Sequence, residues 1–225
     1  MLTPKNVLRM NMFLVVFTVI GGLCYDTISH NLMTKSCASF GFFLLGLVNL
    51  VYGFREGFSY RCFAVIMVTG LFAGMAADIV LEINFLLGAL VFALGHIFYF
   101  AAYCRILPFL NKDAIPGLAV FALVAFMVLF LPIFDFGGTA MQTVCVAYAG
   151  IISIMWSKAL SNYRRLPNPL TKIMMIGSAL FLLSDLALLF SHFAQVPEIV
   201  GSLCVNSYYP AQVILAFGLL HTKNR

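Results

Sequence analysis

Charged side chains are scarce: they make up 9% of the 225 residues, against about a quarter in soluble globular proteins. With 63% apolar residues and a mean hydropathy of +1.03, this excludes a soluble enzyme and points to an integral membrane protein. Long hydrophilic runs are lacking too. The longest, about Lys158 to Lys172, leaves no room for a soluble domain, so one membrane domain spanning 1–225 is expected. Apolar and polar residues do not alternate, which excludes a transmembrane barrel. No HxxxH, HExxH or CxxC spacing occurs, nor a GxSxG elbow or a glycine-rich phosphate loop. A metal site would have to be assembled across helices, for example from Asp78, His96, Asp185 and His192. The expectation is no metal and no cofactor. Without CxxC pairs, the six cysteines read as small apolar packing residues, with Cys24 and Cys37 a candidate outer-face disulfide.

What is present is a series of charge-poor apolar runs near the roughly 20 residues a helix needs to cross a bilayer. They fall at about 9–25, 36–54, 62–82, 84–104, 114–134, 136–157, 173–193 and 199–221. The fold class is therefore all-α, a polytopic membrane bundle of about eight transmembrane helices. The first run follows Lys5 and Arg9 as a signal peptide would, but no small-residue cleavage site follows, so it reads as a retained helix.

If the helices alternate, one side holds Lys5, Arg9, Arg55, Arg61, Arg105, Lys112, Lys158, Arg164, Arg165, Lys172, Lys223 and Arg225, and the other only Lys35. Twelve against one places both termini in the cytoplasm. The net charge of +5 is then a rim suited to anionic headgroups and carries no implication of nucleic-acid binding. Trp156 beside Lys158 reads as an interfacial anchor.

Two aspartates stand inside the spans, Asp78 and Asp185. An Asp at mid-membrane costs roughly 2.5–3.5 kcal/mol on insertion scales, so such residues are buried in a polar interior or used. Gly70, Asp78, Leu81 and Gly177, Asp185, Leu188 share one spacing, four spans apart. A parallel duplication of four-helix halves would produce this, as would chance. Glu82 shares the helix face of Asp78. His96, Tyr99 and Tyr103 form one polar stripe, and Asn206, Tyr209 and Gln212 another. The plain alternative for the aspartates is interhelical hydrogen bonding by protonated carboxyls. For His96 it is a satisfied interior histidine, and for the tyrosines and Gln212 it is packing. His30, His192 and His221 read as interfacial.

The segment from Gly70 to Leu81, with Phe85-Leu-Leu-Gly88 and Phe92-Ala-Leu-Gly-His96-Ile-Phe-Tyr99, resembles the YhhN family of membrane proteins, which includes the lysoplasmalogenases. Gly177-Ser-Ala-Leu-Phe181-Leu-Leu-Ser184-Asp185, Tyr208-Tyr209-Pro-Ala-Gln212 and Thr34-Lys35 resemble its other signatures. Ala77 stands where the family commonly has Gly before the first Asp, and Ser36 where Pro usually follows the Lys. The resemblance implies hydrolysis of the vinyl ether bond of a lysoplasmalogen to a fatty aldehyde and a glycerophospho-alcohol, with lysophospholipid and membrane lipid as partners. That chemistry needs a carboxylic acid protonated near neutral pH and a second carboxylate to stabilise the cation and activate water. Asp78 and Asp185 are the expected catalytic pair. His96, Tyr99, Tyr209 and Gln212 are expected to orient water, the ether oxygen or the headgroup, and Lys35 to pair with phosphate. A proton-coupled transporter and a metal-dependent lipid hydrolase are the alternatives. A bacterial source would place the chain in the plasma membrane.

Overall fold

The computed structural model describes residues 3–57 and 60–222. Lys223 and Arg225, counted above in the basic rim, lie outside the described residues. Among the described residues, eight helical segments are each long and apolar enough to cross a membrane, the fifth (Asn111–Phe130) and eighth (Ile199–His221) counted with an adjoining 3-10 turn. Their α-helices are α1 (Pro4–Thr27), α2 (Leu32–Glu56), α3 (Arg61–Ile83), α4 (Phe85–Ile106), α5 (Ile115–Phe130), α6 (Thr139–Arg165), α7 (Pro169–Phe193) and α8 (Ile199–Gly218). Short 3-10 turns precede α5 (Asn111–Ala114) and follow α8 (Leu219–Thr222). The chain is an integral, multi-pass helical membrane protein.

The ends of these helices follow from local chemistry. Thr3, Asn31 and Asn168 cap α1, α2 and α7 with side-chain oxygens that accept from the backbone N–H three residues on, satisfying donors left free in the first turn. Gly57, at φ 82°, ends α2 in the left-handed conformation that glycine adopts without steric penalty. Asn84 serves two helices at once. Its N–H donates to Val80 O at 2.7 Å, closing α3, while its Oδ1 accepts from Leu87 N at 3.0 Å, opening α4. So tight a corner requires Gly88, because a Cβ there would lie 2.5 Å from Leu81 Cα.

Short connections make successive helices antiparallel. Seven of them close around a common interior in the order α1, α2, α3, α4, α6, α7, α8, with α8 returning to pack on α1, α2 and α3. Helix α5 stands outside this ring, packed on α6. Its Leu118, Leu123, Phe126, Leu129 and Phe130 are exposed, as a lipid-facing surface should be.

The charged stretch from Lys158 is not a loop: α6 runs on to Arg165. Nor does Lys158 belong to an exposed rim. It is fully buried, with Nζ 3.1 Å from both Asp113 Oδ2 and Pro108 O. Arg165 approaches the same Asp113 oxygen at 3.0 Å, and Ser161 donates to Oδ1 at 2.6 Å. Sequence pattern treats a lysine at a span's end as solvated; here a buried carboxylate and a carbonyl replace the water, as burial of a charge demands. The knot ties the turn before α5 to the end of α6. All six cysteines are free, so Cys24 and Cys37 form no disulfide.

Candidate active site

The alternation of helices brings one set of ends together at the rim opposite the termini: the ends of α1, α3 and α7 with the starts of α2, α4 and α8. A cavity of about 560 Å³ opens there, its wall including Tyr25, Lys35, Asp78, Asp185, Tyr208 and Tyr209.

Asp78 projects from α3 and is 2% exposed. Two hydroxyls donate to its Oδ2, Ser39 from α2 and Tyr208 from α8, the latter at 2.7 Å. Tyr208 in turn accepts from Gln212 Nε2 at 3.1 Å, and Tyr99 donates to Gln212 Oε1 at 2.7 Å. Gly74 leaves room for that amide, since a Cβ there would lie 2.6 Å from Gln212 Nε2.

Asp185 projects from α7 and keeps 11% of its side chain exposed. Tyr148 of α6 donates to its Oδ2 at 2.6 Å. His96 Nε2 lies 3.1 Å from the same oxygen and 2.7 Å from the Tyr148 hydroxyl, so the three groups form a closed triangle. His96 Nδ1 is buried without a partner. That fits an imidazole with its proton on Nε2, because a bare acceptor is cheaper to bury than an unpaired N–H.

The aspartates share no hydrogen bond but line one cavity, with Phe181 between their partners. Its ring centroid lies 4.6 Å from that of His96 and 5.3 Å from that of Tyr208. Beyond Asp185 a small apolar slot of about 70 Å³ runs between α3, α4, α5, α6 and α7, lined by residues such as Phe85, Val124, Cys145 and Ile152. Leu81, Phe92, Asp185 and Leu188 are walls of both spaces. Aromatic rings cover the slot's rim end: Phe85 stacks on His192 at 3.7 Å and meets Phe193 at 5.5 Å.

The geometry sorts the residues expected from sequence. Asp78, Asp185 and His96 are brought to one interior, and Tyr99 and Gln212 are linked to Asp78 by hydrogen bonds through Tyr208. Lys35 reaches the cavity wall, but its ammonium pairs with Glu82 at 2.8 Å, which also accepts from Tyr25 at 2.7 Å. Tyr209 lines the cavity; its hydroxyl approaches Ser39 without making a hydrogen bond. Tyr103 meets Ser178 at 2.8 Å, and Asn206 donates to Asp26 at 3.1 Å. Ser39, Tyr148 and Tyr208 as direct partners of the aspartates were not singled out in the sequence. The helical registers Lys35 to Ser39 and Tyr208 to Gln212 hint at two of them, and nothing local marks Tyr148. His192 is held against Phe85 and takes no part in a cluster with Asp78, His96 and Asp185. Among the described residues no group of three His, Cys, Asp or Glu side chains is placed to hold a metal.

Comparison with known families agrees with the motifs: the model of the YhhN family matches residues 38–219. The chain belongs to the YhhN family. The match takes in Ser39, Asp78, His96, Tyr148, Asp185 and Tyr208, so the whole cluster lies within the family's extent. No curated protein and no solved structure matches the chain.

Proposed function

We propose that this YhhN-family protein hydrolyses the vinyl ether bond of lysoplasmalogens within the membrane, releasing a fatty aldehyde and a glycerophospho-alcohol. The observation that carries this reading is the pair of intramembrane carboxylates in one cavity, one of them in the wall that the polar cavity shares with an apolar slot. A lysoplasmalogen has the same division, a polar headgroup and glycerol on one side of the labile bond and a hydrocarbon chain on the other.

Cleavage begins with a proton to the β-carbon of the vinyl ether. The oxocarbenium ion that results is captured by water, and the hemiacetal collapses to aldehyde and alcohol. General acid–base assistance of this kind is worth roughly 10²–10⁴-fold, and a carboxylate beside the cation stabilises it in a site shielded from bulk water. Asp78 and Asp185 supply these two functions, and no metal or cofactor is required. Tyr25, Lys35 and Tyr209 stand where the headgroup would lie, with Lys35 able to direct its remaining N–H donors at phosphate. By the charge partition of the sequence both termini are cytoplasmic and the cavity opens outward; in a bacterial source the membrane would be the plasma membrane.

The test is aldehyde release by purified protein from lysoplasmenyl-ethanolamine, with the ester lysolipid as control. The expected result is release from the vinyl ether only, insensitive to chelator and abolished in folded Asp78→Asn and Asp185→Asn variants. Near-normal turnover in either variant would sink the two-carboxylate mechanism, and no release by folded wild-type protein would sink the substrate assignment.

A further inference from the structure

The two carboxylates are built alike: each accepts two side-chain donors on Oδ2, and neither Oδ1 has a donor among the described residues. Their surroundings differ. Asp185 is a wall of both the polar cavity and the apolar slot, whereas Asp78 lines the polar cavity alone. Lys35, paired with Glu82, also stands beside Asp78, one turn before Ser39 on α2 and bordering the same cavity. Asp185 has Tyr148 and His96 for company instead.

We propose, resting on the vinyl ether reading above, that Asp185 donates the proton to carbon and Asp78 is the carboxylate that activates water, with Tyr148 and His96 as positioning residues for Asp185. The chemistry of the bond makes the distinction. The β-carbon is the first atom on the chain side and so faces the slot, while the α-carbon carries the ether oxygen and faces the headgroup side.

A protonated Asp185 presents its carbonyl Oδ2 to Tyr148 O–H and His96 Nε2–H, leaving Oδ1–H free to reach the β-carbon. The proton passes to that carbon, the C=C electron pair forms the new C–H bond, and the ether oxygen stabilises the cation at the α-carbon; Asp185 is left as carboxylate. Water then adds to the α-carbon and gives its proton to Asp78 Oδ1. In the collapse, Asp78 returns this proton to the departing glycerol oxygen as the C–O bond breaks. The hemiacetal O–H gives its proton to Asp185, and both residues regain their starting states. The sum is one water consumed, one aldehyde and one alcohol formed.

The assignment is read by isotope exchange. Wild-type, Asp78→Asn and Asp185→Asn proteins, each confirmed folded by a monodisperse elution profile in detergent, are incubated with lysoplasmenyl-ethanolamine in D2O, and the remaining substrate is analysed by mass spectrometry. Asp78→Asn keeps the acid and lacks the base, so protonation reverses faster than water is captured. The bond between the α- and β-carbons of the cation, now single, turns before Asp185 takes a proton back. Protium therefore leaves and deuterium enters the vinyl β-position of unhydrolysed substrate, with inversion of its double-bond geometry and without aldehyde release. Asp185→Asn has no acid in reach of that carbon and leaves the substrate unlabelled. Labelling by Asp185→Asn, by both variants or by neither would overturn the assignment. A wild-type protein that releases no aldehyde would instead overturn the reading on which it rests, so the two failures are distinguishable.

Discussion

Two adjacent tyrosines line the same cavity, and the structure separates their roles sharply enough to test. Tyr208 donates to Asp78 at 2.7 Å and accepts from Gln212 at 3.1 Å; the hydroxyl of Tyr209 makes no hydrogen bond. Replacement by Phe removes one oxygen and keeps each ring. The Tyr208 ring packs edge-on against Phe42, Phe92 and Phe181 at 6.0, 5.7 and 5.3 Å, so Tyr208→Phe should fold. A hydrogen bond to a charged group contributes about 1.5–3 kcal/mol, and each 1.36 kcal/mol is tenfold in rate. If the full value is expressed in the transition state, Tyr208→Phe lowers kcat by roughly 10- to 150-fold. Tyr209→Phe removes a hydroxyl with no bond to lose and should leave kcat within about twofold, with any effect confined to KM. Aldehyde release at limiting and saturating lysoplasmalogen, alongside thermal unfolding in detergent, measures both. A larger fall in kcat for Tyr209→Phe than for Tyr208→Phe would refute the reasoning, since it would mean that the hydroxyl poised on Asp78 is not the one used.

Two further predictions concern the frame that holds the site. Lys158→Met leaves Asp113 buried with one cation fewer, and breaking a buried pair costs about 3–5 kcal/mol; thermal unfolding should show a large loss that Lys172→Met, at an exposed position, does not share. Equal stability of the two variants would mean that the buried knot contributes nothing. Gly88→Ala would set a Cβ 2.5 Å from Leu81 Cα and 2.6 Å from Leu81 N, backbone atoms that cannot rotate aside, and overpacking of this kind costs about 1–3 kcal/mol. Gly150→Ala, whose Cβ would meet Phe121 at an ordinary 3.5 Å, is the control: helix propensity makes it neutral to stabilising by up to about 1 kcal/mol. Because Leu81 lines both the cavity and the slot, Gly88→Ala should also slow aldehyde release.

The spans were legible because a run long and apolar enough to cross a bilayer has few other fates in water. Their ends were less so. The fifth run was expected to reach 134 and the sixth to start at 136, yet α5 stops at Phe130 and α6 starts at Thr139. Phe134 and Phe136 look like membrane helix by hydropathy, but they serve a turn whose Asp135 N–H donates to Phe193 O at 2.7 Å. Lys158 and Arg165 misled in the opposite sense, since a charge reads as solvated until its partner, Asp113, is found 45 and 52 positions away. The aspartates stood out because charge in such segments is rare. Their partners did not: Ser39, Tyr148 and Tyr208 are unremarkable residues whose importance lies in what faces them from another helix. Tyr208 and Tyr209 both lie within one turn of Gln212, so spacing alone could not choose between them.

The shared Gly, Asp and Leu spacing of α3 and α7 acquires a structural counterpart. Asp78 is held by a hydroxyl from α2 and a donor from α8; Asp185 is held by a hydroxyl from α6 and His96 from α4. Advancing each helix of the first set by four, and counting past α8 back to α1, turns one arrangement into the other. The packing follows the same operation: α1 on α2 corresponds to α5 on α6, α2 on α8 to α6 on α4, and α3 on α4 to α7 on α8. Two correspondences fail: α3 touches α8 without a comparable contact of α7 with α4, and the second is larger. Helix α1 packs closely on α8, where Tyr209 fills the space left by Gly22, whereas α5 has no comparable contact with α4. The apolar slot lies on that side of the bundle, bordered by Phe85, Ala89 and Phe92 of α4 and Val124 of α5. The same departure from the repeat that sets an apolar slot beside Asp185 alone therefore makes two similarly built carboxylates inequivalent, as the proposed division into one acid and one base would require.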